Sequence, residues 1–275
     1  MKILVRGPAL TRTGYGEHCR FVLRALRDLK NVDLYVLPVN WGSSNWIWEN
    51  NDERIWLDKI IRKTARYHHE KNNPEYDMSI QVTIPNEWTK LAPVNIGVTA
   101  GIETTKPAPI WLEKCNLMDK VVTISEHSKK TLVDAVYQGV HKHTGQPVSL
   151  SCNKEVKIVH YPVKEHKDVS LDLNLSTKFN FLTVAQWGPR KNMGATIEWF
   201  VEEFIDNSDV GLIVKTFVRG GSRIDRYHVL KQMKDILRKY EHRKCKIYLL
   251  HGDFTDQEMH SLYKHDKIHC LVSLT

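Results

Sequence analysis

The sequence predicts an α/β fold built on parallel sheets, and three observations carry that expectation. Ten short apolar runs recur along the 275 residues with helix-length segments between them, the alternation of right-handed βαβ units. Phe179, Phe181, Leu182, Val184 and Ala185 read as a buried strand, followed at helical period by Ile197, Phe200, Val201 and Phe204. Between them a short turn carries Arg190 and Lys191, at the carboxyl end of a strand, where open α/β sheets hold ligands.

The first run, residues 2 to 6, ends at Arg6-Gly7-Pro8. Thr13-Gly14-Tyr15-Gly16-Glu17 then opens a helix carrying Phe21, Val22, Leu23 and Leu26. Glycines there let backbone approach a ligand, and a helix N-terminus offers free N–H groups to an anion. The dinucleotide fingerprint is absent, because Gly14 and Gly16 lack a third glycine at the required offset. After a second run at 33 to 38, residues 53 to 71 form a basic amphipathic helix with Ile60 and Ile61 toward the core. Its cations read first as a solvated face, and with the rings of Trp56 and Tyr67 they also suit an anionic bilayer surface.

Runs at 78 to 82 and 95 to 99 follow, the latter continuing through Gly101-Ile102-Glu103-Thr104-Thr105. Glu103 falls at a strand's carboxyl end, where a carboxylate can orient a sugar hydroxyl or act as a base; it also reads as a cap or solvated residue ahead of Lys106-Pro107. After the run 120 to 124, Ser125-Glu126-His127-Ser128 reads as a helix N-terminus. A sixth run, 156 to 159, precedes His160 to Lys178, where Pro162 and a polar mixture interrupt the alternation. That stretch reads as an interdomain linker, with domains at 1–165 and 166–275.

The second domain offers runs at 179 to 185, 210 to 216, 246 to 250 and 268 to 273, and a basic helix over 224 to 244. Four strands before Thr275 read as an incomplete domain. Arg190 and Lys191 suit a phosphate or diphosphate, the guanidinium as a fork and the ammonium as a point charge, or are solvated corner residues. His265 and His269 are one helical turn apart, but Ile268 to Val272 reads as strand, and no metal-binding motif accompanies them, so no metal is expected.

Composition narrows the class. Hydrophobic residues are 41% and charged residues 26%, and no stretch is apolar enough to span a bilayer. The start, Met-Lys-Ile-Leu-Val-Arg-Gly, lacks signal-peptide character, and five cysteines without a Cys-x-x-Cys pair read as reduced thiols. A cytoplasmic protein is expected, peripheral at most to the inner face of a membrane. The net charge of +8 favours an anionic partner. No RNA-binding aromatic signature or helix-turn-helix spacing is present, so nucleic acid is not expected.

In order and spacing these segments resemble the retaining nucleotide-sugar glycosyltransferases of family 4. The marks are Gly14-Tyr15-Gly16, Asn95 to Thr105, Asp119 to Ser125, Tyr161-Pro162-Val163, Pro189-Arg190-Lys191-Asn192 and His251 to Glu258. The resemblance implies a GT-B fold of two facing Rossmann-like domains. It implies a UDP- or GDP-sugar donor held mainly by the second domain, and a glycan or lipid-linked acceptor on the first, as in polysaccharide assembly. On the family's pattern Arg190 and Lys191 neutralise the leaving diphosphate in place of a metal, and the backbone of Gly14 to Gly16 closes over it. Asp253 and Phe254 lie against the base, and Lys215 faces the same site. Glu103 stands where many relatives carry a histidine, and Gln186-Trp187 where many carry Gly-Arg. The family's Gly-rich loop and paired glutamates would begin just after Thr275, so the chain reads as truncated, with activity in doubt. The alternative is a non-catalytic nucleotide- or glycan-binding module; a nicotinamide enzyme is disfavoured by the missing fingerprint.

Overall fold

The computed structural model describes residues 1–42, 44–140 and 145–274. The chain divides into two compact units, Met1–Val163 and Lys164–Thr275.

In the first unit, β1 (Lys2–Gly7) leads into α1 (Gly14–Arg27), then β2 (Asp33–Pro38), α2 (Asp52–Glu70), β3 (Met78–Val82), β4 (Val94–Val98), α3 (Pro109–Cys115), β5 (Lys120–Thr123) and α4 (Glu126–Val133). A hairpin of β6 (Val136–Val140) and β7 (Pro147–Ser151) precedes β8 (Val156–Ile158). Six strands pair in the order β2-β1-β3-β4-β5-β8, every pair parallel. The order reverses at β1, so the crevice between the carboxyl ends of β1 and β3 is the switch point of this sheet. Ile3, Val5 and Val36 pack against Leu23 of α1 and Leu57 of α2 on one face. The antiparallel hairpin was not expected from the sequence. Its residues are mostly exposed, so no buried face imprinted a period on it.

The second unit runs β9 (Phe179–Val184), α5 (Met193–Glu203), β10 (Val210–Thr216), α6 (Arg223–Leu237), β11 (Lys246–His251), α7 (Asp256–Tyr263) and β12 (Cys270–Leu271). Its four strands are again parallel, in the order β11-β10-β9-β12. All seven residues of β10 are buried, the mark of a central strand covered on both faces. Leu212 and Val214 point toward the helices α5 and α6, and Ile213 toward Leu182 and Leu262 on the other side.

Two expectations are corrected here. Residues 160 to 178 lack regular structure as anticipated, but their second half is no loose linker. Leu171, Leu173 and Leu175, spaced by two, pack on the β9–β10 face beside α7 and do a covering helix's work, and Val169 N–H bonds Ser261 Oγ at 2.8 Å. The run 268 to 273 yields only a two-residue strand paired to β9 alone. His269 stacks on Phe179 at 4.6 Å and accepts the Asn180 N–H, and His265 contacts Leu171 O and Asp266. Among the described residues no helix is long and apolar enough to cross a membrane.

Candidate functional site

The carboxyl edge of the second sheet gathers three loops. Arg190 and Lys191 occupy a single 3-10 turn, Pro189–Lys191, between β9 and α5. Proline fixes the turn's start, and Asn192 at φ +45° reverses the chain into α5. In this sheet the order reverses at β9, whose neighbours β10 and β12 are reached in opposite directions, so the cationic turn sits at the switch point. The loop after β10, Phe217 to Ser222, is sewn to it: Trp187 N–H donates to Phe217 O at 2.7 Å, and Gln186 Nε2 to Val218 O at 2.8 Å. A cavity of about 390 Å³ opens beside the turn, lined by Trp187, Pro189, Asn192, Met193, Val218 and Gln232, within the size range of small-molecule sites.

The loop after β11 completes the edge. Lys215, at the end of β10 and only 6% exposed, donates its ammonium to Gly252 O and lies 4.4 Å from the Phe254 ring. Asp225, in the first turn of α6, accepts the N–H groups of Val218 at 3.0 Å and Arg219 at 2.8 Å, and meets His251 Nε2 at 2.8 Å. Burial opposes ionisation of Asp225, but the bonds from His251 and the two amides prevail and hold its carboxyl below the usual range. A Cβ on Gly221 would stand 3.3 Å from Asp253 N, so the second and third loops touch. Arg190, Lys191, Lys215, Asp253 and Phe254 thus share one edge. Thr255 and Glu258 are a capping box for α7. Sequence reasoning placed His251 at the head of the base-side segment but missed Arg219 and Asp225; the Gly220-Gly221 pair was the available signal for that loop.

On the first unit the corresponding edge holds Gly14, Tyr15, Gly16 and Glu103. Thr13 caps α1 by accepting Gly16 N–H at 3.0 Å, so the glycines lie in the helix's first turn. Gly16 is there for space: a Cβ would fall 2.1 Å from Thr11 O, whereas Gly14 faces nothing within 4 Å. The Tyr15 hydroxyl shares a hydrogen bond with Thr99 Oγ1 at 2.9 Å and accepts Ala100 N–H at 3.2 Å, tying α1 to the end of β4. Burial chiefly raises its phenol above the ordinary range. Gly101, at φ +82°, turns the chain into the loop of Glu103, with Ser128 Oγ where a Cβ would sit. Glu103 is exposed and caps no helix, since Ala108 holds the N-cap of α3; Ser125 caps α4 as expected.

Trp56 and Tyr67, expected to face a bilayer, face inward instead. Trp56 packs on the β1–α1 core under Arg27, and Tyr67 meets Tyr35 and Tyr76. Exposed indoles on this unit include Trp46 and Trp48, just ahead of α2.

No family model matches this sequence, and no curated protein matches it. Solved structures do resemble the fold. The apo form of the lipopolysaccharide outer core galactosyltransferase WaaB aligns over 100% of this chain and 74% of its own, at 12% identity and TM-score 0.52. Anabaena HepE in complex with UDP-glucose aligns over 95% and 72%, at 13% identity and TM-score 0.53. A structure of trehalose-6-phosphate from E. coli bound with UDP-2-fluoro glucose aligns over 96% and 76%, at 12% identity and TM-score 0.51. The likeness is one of fold: two Rossmann-like parallel-sheet units in one chain, the GT-B-like class expected from sequence.

His18, one turn into α1, is 7% exposed and its Nδ1 has no hydrogen-bond partner. Burial pushes its imidazole down to about 4. The folded state therefore favours the neutral ring, and its contribution is complete above the unfolded value near 6.5 and lost as pH falls toward 4. Thermal melts should show His18→Leu losing less stability than the parent between pH 6.5 and 4, by up to about 3 kcal/mol; parallel curves contradict the burial of a neutral imidazole.

Proposed function

We propose that the chain is a glycosyltransferase that moves a hexose from a UDP- or GDP-sugar to a glycan or lipid-linked acceptor, with retention at the anomeric carbon. The observation that carries the proposal is the Arg190–Lys191 turn at the switch point of a Rossmann-like sheet. A departing nucleoside diphosphate gains negative charge as the glycosidic bond breaks, and fixed cations aimed at that charge lower the barrier. Arg190 forks two oxygens and Lys191 neutralises a third, so the diphosphate is held without a metal. Lys215 acts differently: bonded to Gly252 O, it fixes the loop of Asp253 and Phe254, which lies against the base. On the first unit, Glu103 orients or deprotonates an acceptor hydroxyl, and the turn offers the N–H groups of Gly14 and Tyr15 to the donor, that of Gly16 being held by Thr13.

An anionic bilayer is the setting that suits this first unit. Ile55, Lys59, Arg62 and Arg66 form an exposed apolar and cationic stripe of α2, between the exposed Asp52 and Glu70 at the helix ends. The Trp46–Trp48 segment adjoins its first turn, pinned by Ile47 N–H to Leu10 O at 2.8 Å and by Arg54 to Ile47 O. Indoles beside cations are what a headgroup layer binds.

Calorimetric titration with UDP and GDP tests the donor site. One nucleotide should bind, and Arg190→Ala or Lys191→Ala should each weaken it about tenfold; binding unchanged in the double variant contradicts the proposal. Binding with neither sugar hydrolysis nor transfer would instead favour a non-catalytic module. Vesicle co-sedimentation tests the membrane: binding to anionic but not zwitterionic lipid, abolished in Lys59→Glu/Arg62→Glu, is expected, and equal binding by parent and variant speaks against it.

A further inference from the structure

Among the five cysteines, two meet. Cys115 is the last residue of α3 and wholly buried; Cys152 directly follows β7 and is half-buried. They belong to one apolar cluster with Leu112, Met118 and Trp111. The adjoining backbone is clamped. Asn116 Nδ2 donates to Ser151 O at 2.8 Å, and Asn116 Oδ1 accepts Asn153 N–H at 2.9 Å, so one amide grips the residues on both sides of Cys152. Thiols so held need little movement to bond, which is the main geometric requirement for a disulfide.

We propose that Cys115 and Cys152 form a peroxide-oxidisable dithiol, a modification site whose disulfide locks the β6–β7 hairpin to α3. Cys152 is the attacking residue. It is half-buried whereas Cys115 is closed from water, and its pairing with Cys115 lowers its thiol's pKa while raising that of Cys115. Cys152 is thus the thiol of the pair that reaches water and gives up its proton first, to the reactive thiolate. The Cys152 thiolate attacks one oxygen of a hydroperoxide; an S–O bond forms, the O–O bond breaks, and the alkoxide or hydroxide leaves and takes a proton from water. Cys115 sulfur then displaces the sulfenic hydroxyl, which departs as water with the Cys115 proton. The balance is two thiols and one hydroperoxide giving one disulfide, one alcohol or water, and one further water.

The consequence reaches the loop of Glu103. Tyr137, on β6, donates its hydroxyl to Pro107 O, and Lys106 lies 3.9 Å from the Tyr137 ring centroid. The hairpin therefore holds the far end of the loop that starts at Gly101, and cross-linking that same open end of the hairpin, where Tyr137 pairs with Leu150, to α3 stiffens the loop. The dithiol stands on its own geometry, so a chain that binds no nucleotide leaves it intact, whereas the effect on Glu103 as an acceptor residue rests on the proposed transferase reading.

The full reduced chain should be treated with hydrogen peroxide and mapped by peptide mass spectrometry. A Cys115–Cys152 linked peptide, short by two hydrogen atoms, is expected. In Cys115→Ala the sulfenic acid on Cys152 should persist and be captured by dimedone, with no adduct in the parent. Iodoacetamide at neutral pH should modify Cys152 roughly tenfold faster than the half-buried Cys270. No linkage in folded protein, or dimedone capture on Cys115 or Cys270 in place of Cys152, overturns the proposal. Hydrogen exchange reads the coupling: slower exchange at 101–108 after oxidation supports it, and unchanged exchange there in cross-linked protein overturns it.

Discussion

A parallel sheet brings the carboxyl ends of all its strands to one edge, and its connecting helices leave that edge covered only by loops. In the second unit this constraint places the turn after β9, the Gly-rich loop after β10 and the loop after β11 side by side. Two buried polar contacts then fix them: Lys215 to Gly252 O, and His251 to Asp225, which in turn holds the amides of Val218 and Arg219. Each of these polar groups is nearly closed from water, so breaking one contact would strand a buried charge or carbonyl. The cost of such stranding keeps the edge in one arrangement, which is what a site must have before its cations can act on developing charge.

The first unit obeys the same constraint with different means. Its edge is built largely by close approach, with Gly16 against Thr11, Gly101 against Ser128, and the Tyr15 hydroxyl against Thr99 and Ala100, while the buried Arg20 guanidinium donates to Ala9 O at 2.8 Å and Thr11 O at 2.9 Å. Glu103 stays exposed on the loop that leaves β4. The chemistry offered by the two edges differs accordingly, with cations in a preset turn on one and a carboxylate on a loop held by neighbours on the other.

Much of this was legible in the chain itself. Apolar runs such as 210 to 216 became strands because a residue buried on both faces must be apolar whatever its parity, and that signal survives without alignment or structure. The position of Arg190 and Lys191 followed from the strand before and the helix after. What escaped detection had a physical reason in each case. β6 and β7 bury little, so their pairing left no periodic trace. Leu171, Leu173 and Leu175 carried a period of two, but the flanking polar residues masked it and no strand partner exists to make it a sheet. Asp225 and His251 are 26 residues apart, and only the β10–β11 pairing brings them together. Trp56 was misassigned because an amphipathic helix followed by its cations alone does not reveal which side its aromatic rings take.

The central claim is that nucleoside diphosphate binds at the carboxyl edge of the second sheet. Hydrogen exchange of the full chain with and without saturating UDP or GDP reads both edges at once. Within the second unit, slowed exchange at residues 186–192, 217–221 and 252–255 is the result expected. Protection at the opposite edge, in 205–209 and 238–245, with those three loops unchanged, would contradict it.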